Sequence, residues 1–152
     1  IVLTKPGGWV NIDRRVVRAK GLLIAGLEGS IRYRPHADYQ YTQREMKARA
    51  RRLIPTFLFN RVRYKRSVDI FIAHSPPAGI HDGPDGPHKG FVVFLELMSR
   101  FRPQLFLHGH KHHYPPGPWK TPYEATTVVN AHPFRVIDIS DSDITYGRFY
   151  RR

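Results

Sequence analysis

Three short, nearly continuous apolar runs punctuate the chain. They are Leu22-Leu23-Ile24-Ala25, the core of Asp69–His74, and the core of Gln104–His108. Runs of this length, rich in β-branched and aromatic residues and closed by Gly or Pro, predict strands buried on both faces. The first run follows Val16-Val17-Arg18-Ala19 and a Lys20-Gly21 turn, so residues 16 to 25 predict a β-hairpin. Gly26 to Ser30 then predict a loop that another backbone can approach closely. Thr42-Gln43-Arg44-Glu45 is a capping-box pattern, in which the Thr hydroxyl and the Glu carboxylate satisfy each other's backbone amides. It predicts a helix from Gln43 to Leu53, ended or kinked by Pro55 and resuming to Tyr64. Phe91, Phe94, Leu95 and Met98 recur at helical spacing and predict a further helix from Lys89 to Phe101. Thr126–Asn130, Phe134–Ile139 and Ile144–Tyr150 predict a closing run of antiparallel strands. The whole pattern is mixed α/β, with helices packed on strands in no regular doubly wound order.

Composition changes the picture in three ways. Apolar residues make up 41% of the 152, enough for one core, and the dense apolar blocks exclude disorder over the whole length. No apolar run approaches the ~20 residues of a membrane-spanning helix. There is no cysteine, which excludes disulfides and thiolate metal sites and fits a reducing cytosol, the cytoplasmic location we expect. Charge is lopsided: 25 Lys and Arg against 12 Asp and Glu give a net charge of +13. Such an excess points to a polyanionic partner, whether nucleic acid, a phosphorylated substrate or an anionic surface, or to a general arginine bias. Basic residues concentrate between Arg44 and Arg66, where nine stand against the single acid Glu45. They lie all round the predicted helix rather than in one stripe. A non-catalytic module that binds nucleic acid or phosphate is therefore the alternative to any enzymatic reading.

Candidate chemistry gathers in the second half. Eight of nine histidines lie at or after position 74, where buried strands give way to loops. His74 closes an apolar strand, and Pro76-Pro77 stiffen the turn behind it. His108-Gly109-His110-Lys111-His112 closes another. In an extended segment, residues two apart share a face, so His110 and His112 are expected to aim at one place. Neutral imidazoles in such a set are common ligands for divalent metals.

A buried strand ending in His-Ser-Pro-Pro, then a helix, then a buried strand ending in Gly-His-Lys-His resembles the calcineurin-like metallophosphoesterases. Gly26 to Tyr33, Tyr39 to Thr42, Gly79-Ile80-His81-Asp82 with His88-Lys89-Gly90, and Val128-Val129-Asn130 resemble segments of one bacterial subset, so the likeness runs from about residue 16 to about 138. It implies a partial four-layer α/β/β/α sandwich, a mixed sheet with flanking helices. It implies two divalent ions (Mn, Fe, Zn or Ni), with His74 and His110 on one and His112 on the other. It also implies hydrolysis of a phosphate mono- or diester by an activated water. Asp82, His88 and Asn130 are the expected supporting or substrate-facing residues. The family's early motifs, Asp-x-His, Gly-Asp-x-x-Asp and Gly-Asn-His-Asp/Glu, do not occur. Asp82 and Asp85 lie in the loop after His74 and do not replace them by pattern. With Ile1 rather than Met at the start, the expectation is that residues 1 to 152 form the C-terminal part of one such domain and are inactive or nearly so in isolation; the alternative is a degenerate relative that has lost catalysis.

Overall fold

The computed structural model describes residues 10–112, 117–139 and 144–146. Its centre is a six-stranded mixed sheet. The strands are β1 (Val16–Ala19), β2 (Leu22–Leu27), β5 (Ile70–Ala73), β6 (Leu105–His108), β7 (Lys120–Tyr123) and β8 (Thr126–Asn130), in the order β1-β2-β5-β6-β8-β7. β2, β5, β6 and β8 run parallel, and β1 and β7 pair antiparallel at the two edges. Two small ladders lie outside it: β3 (Ser30–Ile31) with β4 (Gln40–Tyr41), and β9 (Ile137–Ile139) with β10 (Ile144–Tyr146).

The hairpin forms as the pattern predicts, with Ala19 opposite Leu22 and both turn residues at positive φ, the geometry that matches strand twist. β2 runs on through Gly26 and Leu27, two residues into the expected loop. α1 (Gln43–Arg51) opens on the expected capping box: Thr42 Oγ1 accepts from the Glu45 amide at 3.2 Å, and the Thr42 amide donates to Glu45 at 2.7 Å. α2 (Ile54–Tyr64) begins with Pro55 in its first turn, where the missing N–H costs nothing. α3 (Val92–Phe101) starts three residues later than predicted. Phe91 is held in a bridge with Pro77, donating to the Pro76 carbonyl at 3.1 Å. A Cβ at Gly90 would collide with the Pro77 carbonyl, so only glycine fits there. Gln43 of α1 then caps α3, accepting from the Val92 amide at 3.1 Å.

All three helices pack on one face of the sheet. Met46, Leu53, Phe57, Phe94 and Phe101 meet Ala25, Leu27, Phe71, Phe106 and Val128 in one buried cluster. Aromatic rings set its geometry: Phe71 stacks on Phe106 at 5.3 Å, and Phe94 tilts against Phe106 at 5.3 Å. The other face carries Ile24, Ile70, Leu105, Leu107 and Val129, with Trp119 and Ile137 over part of it. There Ile72 stays 36% exposed.

Two strand expectations need correction. Thr126–Asn130 does form a strand, but it lies parallel to β6 rather than in an antiparallel closing run. β7 is not among the predicted strands. Its sequence, Lys-Thr-Pro-Tyr, has no apolar run, and its proline is tolerated because the strand lies at the sheet edge. The last expected strand extended to Tyr150; β10 covers Ile144–Tyr146, and residues 147–150 lie outside the described residues.

Candidate functional site

Because β2, β5, β6 and β8 are parallel, their carboxyl ends meet at one end of the sheet. In open α/β sheets this is where ligands bind. Glu28 follows β2, His74 follows β5, Gly109 to His112 follow β6, and Ala131 and His132 follow β8. The ladder continues past β5. The His74 amide donates to the Leu27 carbonyl at 3.3 Å, and the Gly109 amide donates to the His74 carbonyl at 3.1 Å.

His74 and His110 meet directly, with His74 Nε2 2.9 Å from His110 Nδ1 and the rings edge to face. His110 Nε2 lies 2.7 Å from the Pro87 carbonyl. A carbonyl only accepts, so neutral His110 carries its proton on Nε2 and presents the Nδ1 lone pair to His74. Burial first, and the charge of His110 second, push the His74 imidazole below the usual histidine range, so it is neutral at pH 7. In this hydrogen bond His74 Nε2 is the donor and His110 Nδ1 the acceptor; moving the His74 proton to its Nδ1 would leave both facing nitrogens as lone pairs for a cation. A divalent ion, if bound here, would be held by His74 and His110, and the 2.9 Å hydrogen bond between their rings shows that the two side chains reach one point.

The backbone at His110 is strained. The Lys111 amide donates to the Gly109 carbonyl at 2.8 Å, closing a three-residue turn around His110, whose φ is +61°. Positive φ makes this the rare form of the γ-turn. Such strain persists where a site needs a side chain aimed against backbone preference. It also corrects the extended-segment expectation. His110 and His112 do not share a face, and the His112 ring stacks on His132 at 4.1 Å. Among the described residues, no group of three or more His, Asp or Glu side chains is arranged to hold a metal ion. The contact that does form joins the two histidines that the resemblance assigns to one ion.

The supporting residues act through backbone. Asn130 Nδ2 donates to the Lys111 carbonyl at 2.9 Å, and its Oδ1 accepts from the His132 amide at 3.0 Å, so it clamps the loop that carries His110 and His112. Asp82 supports the loop: its carboxylate accepts from the Gly90 amide at 3.1 Å, while its carbonyl accepts from Lys111 Nζ. His88 Nδ1 pairs with Asp85 at 2.6 Å, and its ring lies 5.5 Å from that of His110. The His88 hydrogen bond holds the Asp85 carboxyl below its ordinary value.

A second histidine pair had no role in the sequence reading. His81 Nδ1 lies 2.9 Å from His108 Nε2, and His81 Nε2 lies 2.9 Å from Thr121 Oγ1. His108 also reaches the Gly109 carbonyl at 3.1 Å. The signal was parity: His108 shares the helix-side face of β6 with Phe106, so its ring had to be buried and partnered. Burial pushes its pKa down to about 4.

Beside His74 a groove of about 290 Å³ is lined by Glu28, Ser30, Asp38, Tyr39 and Gln40. Glu28 is tied to Arg49 Nη2 at 3.0 Å, and Arg49 also holds Asp13 at 2.8 Å and lies 4.2 Å over the Tyr41 ring. Among the described residues, Ser75 Oγ, next to His74, is buried without a hydrogen-bond partner.

No family model matches this chain, and no curated protein matches it. Solved structures do. TT1561 of Thermus thermophilus superposes with a TM-score of 0.56 at 18% identity, over 91% of this chain and 58% of that one. A second solved structure gives 0.59 at 17% identity, over 91% and 54%. The chain thus spans little more than half the length of these structures, and at such identities the likeness is one of fold: the chain has an α/β fold.

Proposed function

We propose that this chain carries part of the metal site of a phosphoesterase, in which His74 and His110 share one divalent cation and His112 serves a second. The observation that supports this most is the 2.9 Å approach of His74 Nε2 to His110 Nδ1 at the carboxyl ends of adjacent parallel strands. What the ions supply when bound is an activated water and neutralisation of phosphoryl charge. The chain's own residues supply position. His110 is fixed by the Pro87 carbonyl and by its turn, and Asn130 holds the loop behind it. His74 is held neutral, so Nε2 can be freed for a cation by moving its proton to Nδ1, with no net loss of a proton. The half-open apolar face with Ile24, Ile72 and Leu107 has the character of an inner sandwich face, which fits the α/β/β/α arrangement. The sequence contains no early carboxylate motif to bridge two ions, so we expect the chain alone to bind metal weakly and to turn over little substrate.

Calorimetric titration with Mn²⁺, followed by inorganic phosphate, tests the reading. The expected result is metal binding lost in H74A and H110A, with phosphate binding at the histidines only after Mn²⁺ is added. Mn²⁺ binding of equal strength in wild type and in H74A/H110A sinks the proposal, as does the absence of any binding.

A further inference from the structure

We propose that a basic pocket at the opposite end of the sheet binds the phosphodiester backbone of a nucleic acid, separately from the histidine cluster. The pocket, about 260 Å³, sits where the chain enters β5 and β6. Ser67, Val68 and Asp69 lead into β5, and Gln104 leads into β6. Five cationic side chains line it: Arg61, Lys65 and Arg66 from the end of α2 and just beyond, and Arg100 and Arg102 from the end of α3.

The ordinary explanation for such residues is helix electrostatics. Basic side chains offset the partial negative charge at helix C-termini, about half a unit each. Both α2 and α3 end here, which accounts for about one positive charge. One carboxylate, Asp69, accounts for another. It accepts from the Leu23 amide at 2.7 Å and pairs with Arg66 at 3.1 Å. Roughly three of five positive charges are left over by this reckoning. Among the described residues, Arg61, Lys65, Arg100 and Arg102 make no salt bridge. Arginine predominates, and its planar fork matches two phosphate oxygens at once.

A polymer fits better than a lone anion because the lining continues. Arg100 and Phe101 also border a second groove of about 220 Å³ between α1 and α3, with Arg51 and Lys47 on its rim. There Lys47 is paired with Glu96 at 2.7 Å, and Arg51 adds a further cation. Successive phosphates can thus be met along one track.

The test is fluorescence anisotropy with a labelled single strand of ~20 nucleotides, in EDTA and ~50 mM salt, where backbone contacts are strong. Two lost phosphate contacts in R61Q/R100Q should weaken binding at least ~10-fold and flatten the slope of log K against log salt by about 1.4. R61K/R100K should keep the salt slope, since the charges remain. R34Q/R44Q removes the same net charge from exposed sites outside the pocket and should stay within ~3-fold of wild type. Circular dichroism confirms that each variant folds, and K65Q/R102Q, from the same lining and with the same expected loss, carries the test should R61Q/R100Q fail to fold. No oligonucleotide binding by wild type, an equal loss in R34Q/R44Q, or full loss in H74A/H110A overturns the proposal. So does complete displacement of the strand by equimolar inorganic tripolyphosphate, which would mark a small-anion pocket.

Discussion

Acid should unfold this protein through His108. The ring is 2% exposed, tilted against Phe106 at 6.5 Å, and bound to His81 and the Gly109 carbonyl. Burial lowers its pKa from 6.5 to about 4. The sign follows from which state takes the proton first. Above pH 6.5 the ring is neutral in both the folded and unfolded chain and contributes its full stability. As pH falls below 6.5 the unfolded chain is protonated and the folded one is not, so stability drains away, and the loss levels off below about pH 4. A shift of this size corresponds to about 3 kcal/mol in all, of which about 1.4 kcal/mol is lost by pH 5.5. That is a large share of the 5–15 kcal/mol typical of a domain. The sequence holds nine histidines, so the measurement must be a difference. Urea unfolding of metal-free wild type and H108Q, at pH 7.5, 5.5 and 4.0, isolates the term. H108Q begins less stable, because His81 loses its partner, but its deficit should shrink by about 3 kcal/mol on going to pH 4. Parallel stability curves for the two proteins would refute the assignment of a neutral, buried His108.

Two further substitutions separate structure from chemistry. R49M breaks the pairings with Asp13 and Glu28 but leaves Arg14 Nε on the nearly enclosed Asp13 carboxylate, so it should cost about 2 kcal/mol in urea or thermal unfolding; no measurable loss would mean that these charges are well hydrated. H110G removes the imidazole but relieves a left-handed residue, worth about 1 kcal/mol, so stability should hold or rise while Mn²⁺ binding disappears in calorimetry. A marked loss of stability there would show that the ring, rather than its site, keeps His110 in place.

What the sequence revealed depended on whether the cause was local. The Thr42–Glu45 box, the Lys20-Gly21 turn and the apolar strands each rest on neighbours in the chain, and all three are found in the structure. The late start of α3 is tertiary: Phe91 bridges to Pro77, and the capping group comes from Gln43, far away in sequence. β7 left no trace because an edge strand needs no apolar run. The site was half legible. Strand ends placed His74 and His110 at one mouth. The turn at His110 depends on a left-handed backbone that falls on a histidine, where glycine would have been the visible signal. His81 reaches His108 from a loop whose path no periodicity encodes.

Parallel strands also explain why this molecule can keep two chemistries apart. Each strand has one amino and one carboxyl end, so residues just before β5 and β6 gather at one rim and residues just after them gather at the other. Asp69 with its surrounding arginines precedes β5, and His74 follows it. Four residues at about 3.3 Å each separate the rims by about 13 Å. That exceeds the ~8 Å screening length at physiological salt. The pocket's cations therefore contribute little to the potential at His74, and the lowered pKa there comes from burial and from His110 alone. For the same reason, charge removed at Arg61 and Arg100 should add to, and not modify, any effect of replacing the histidines. A single rigid sheet can thus hold a cation site and a polyanion site without either repelling the ligand of the other.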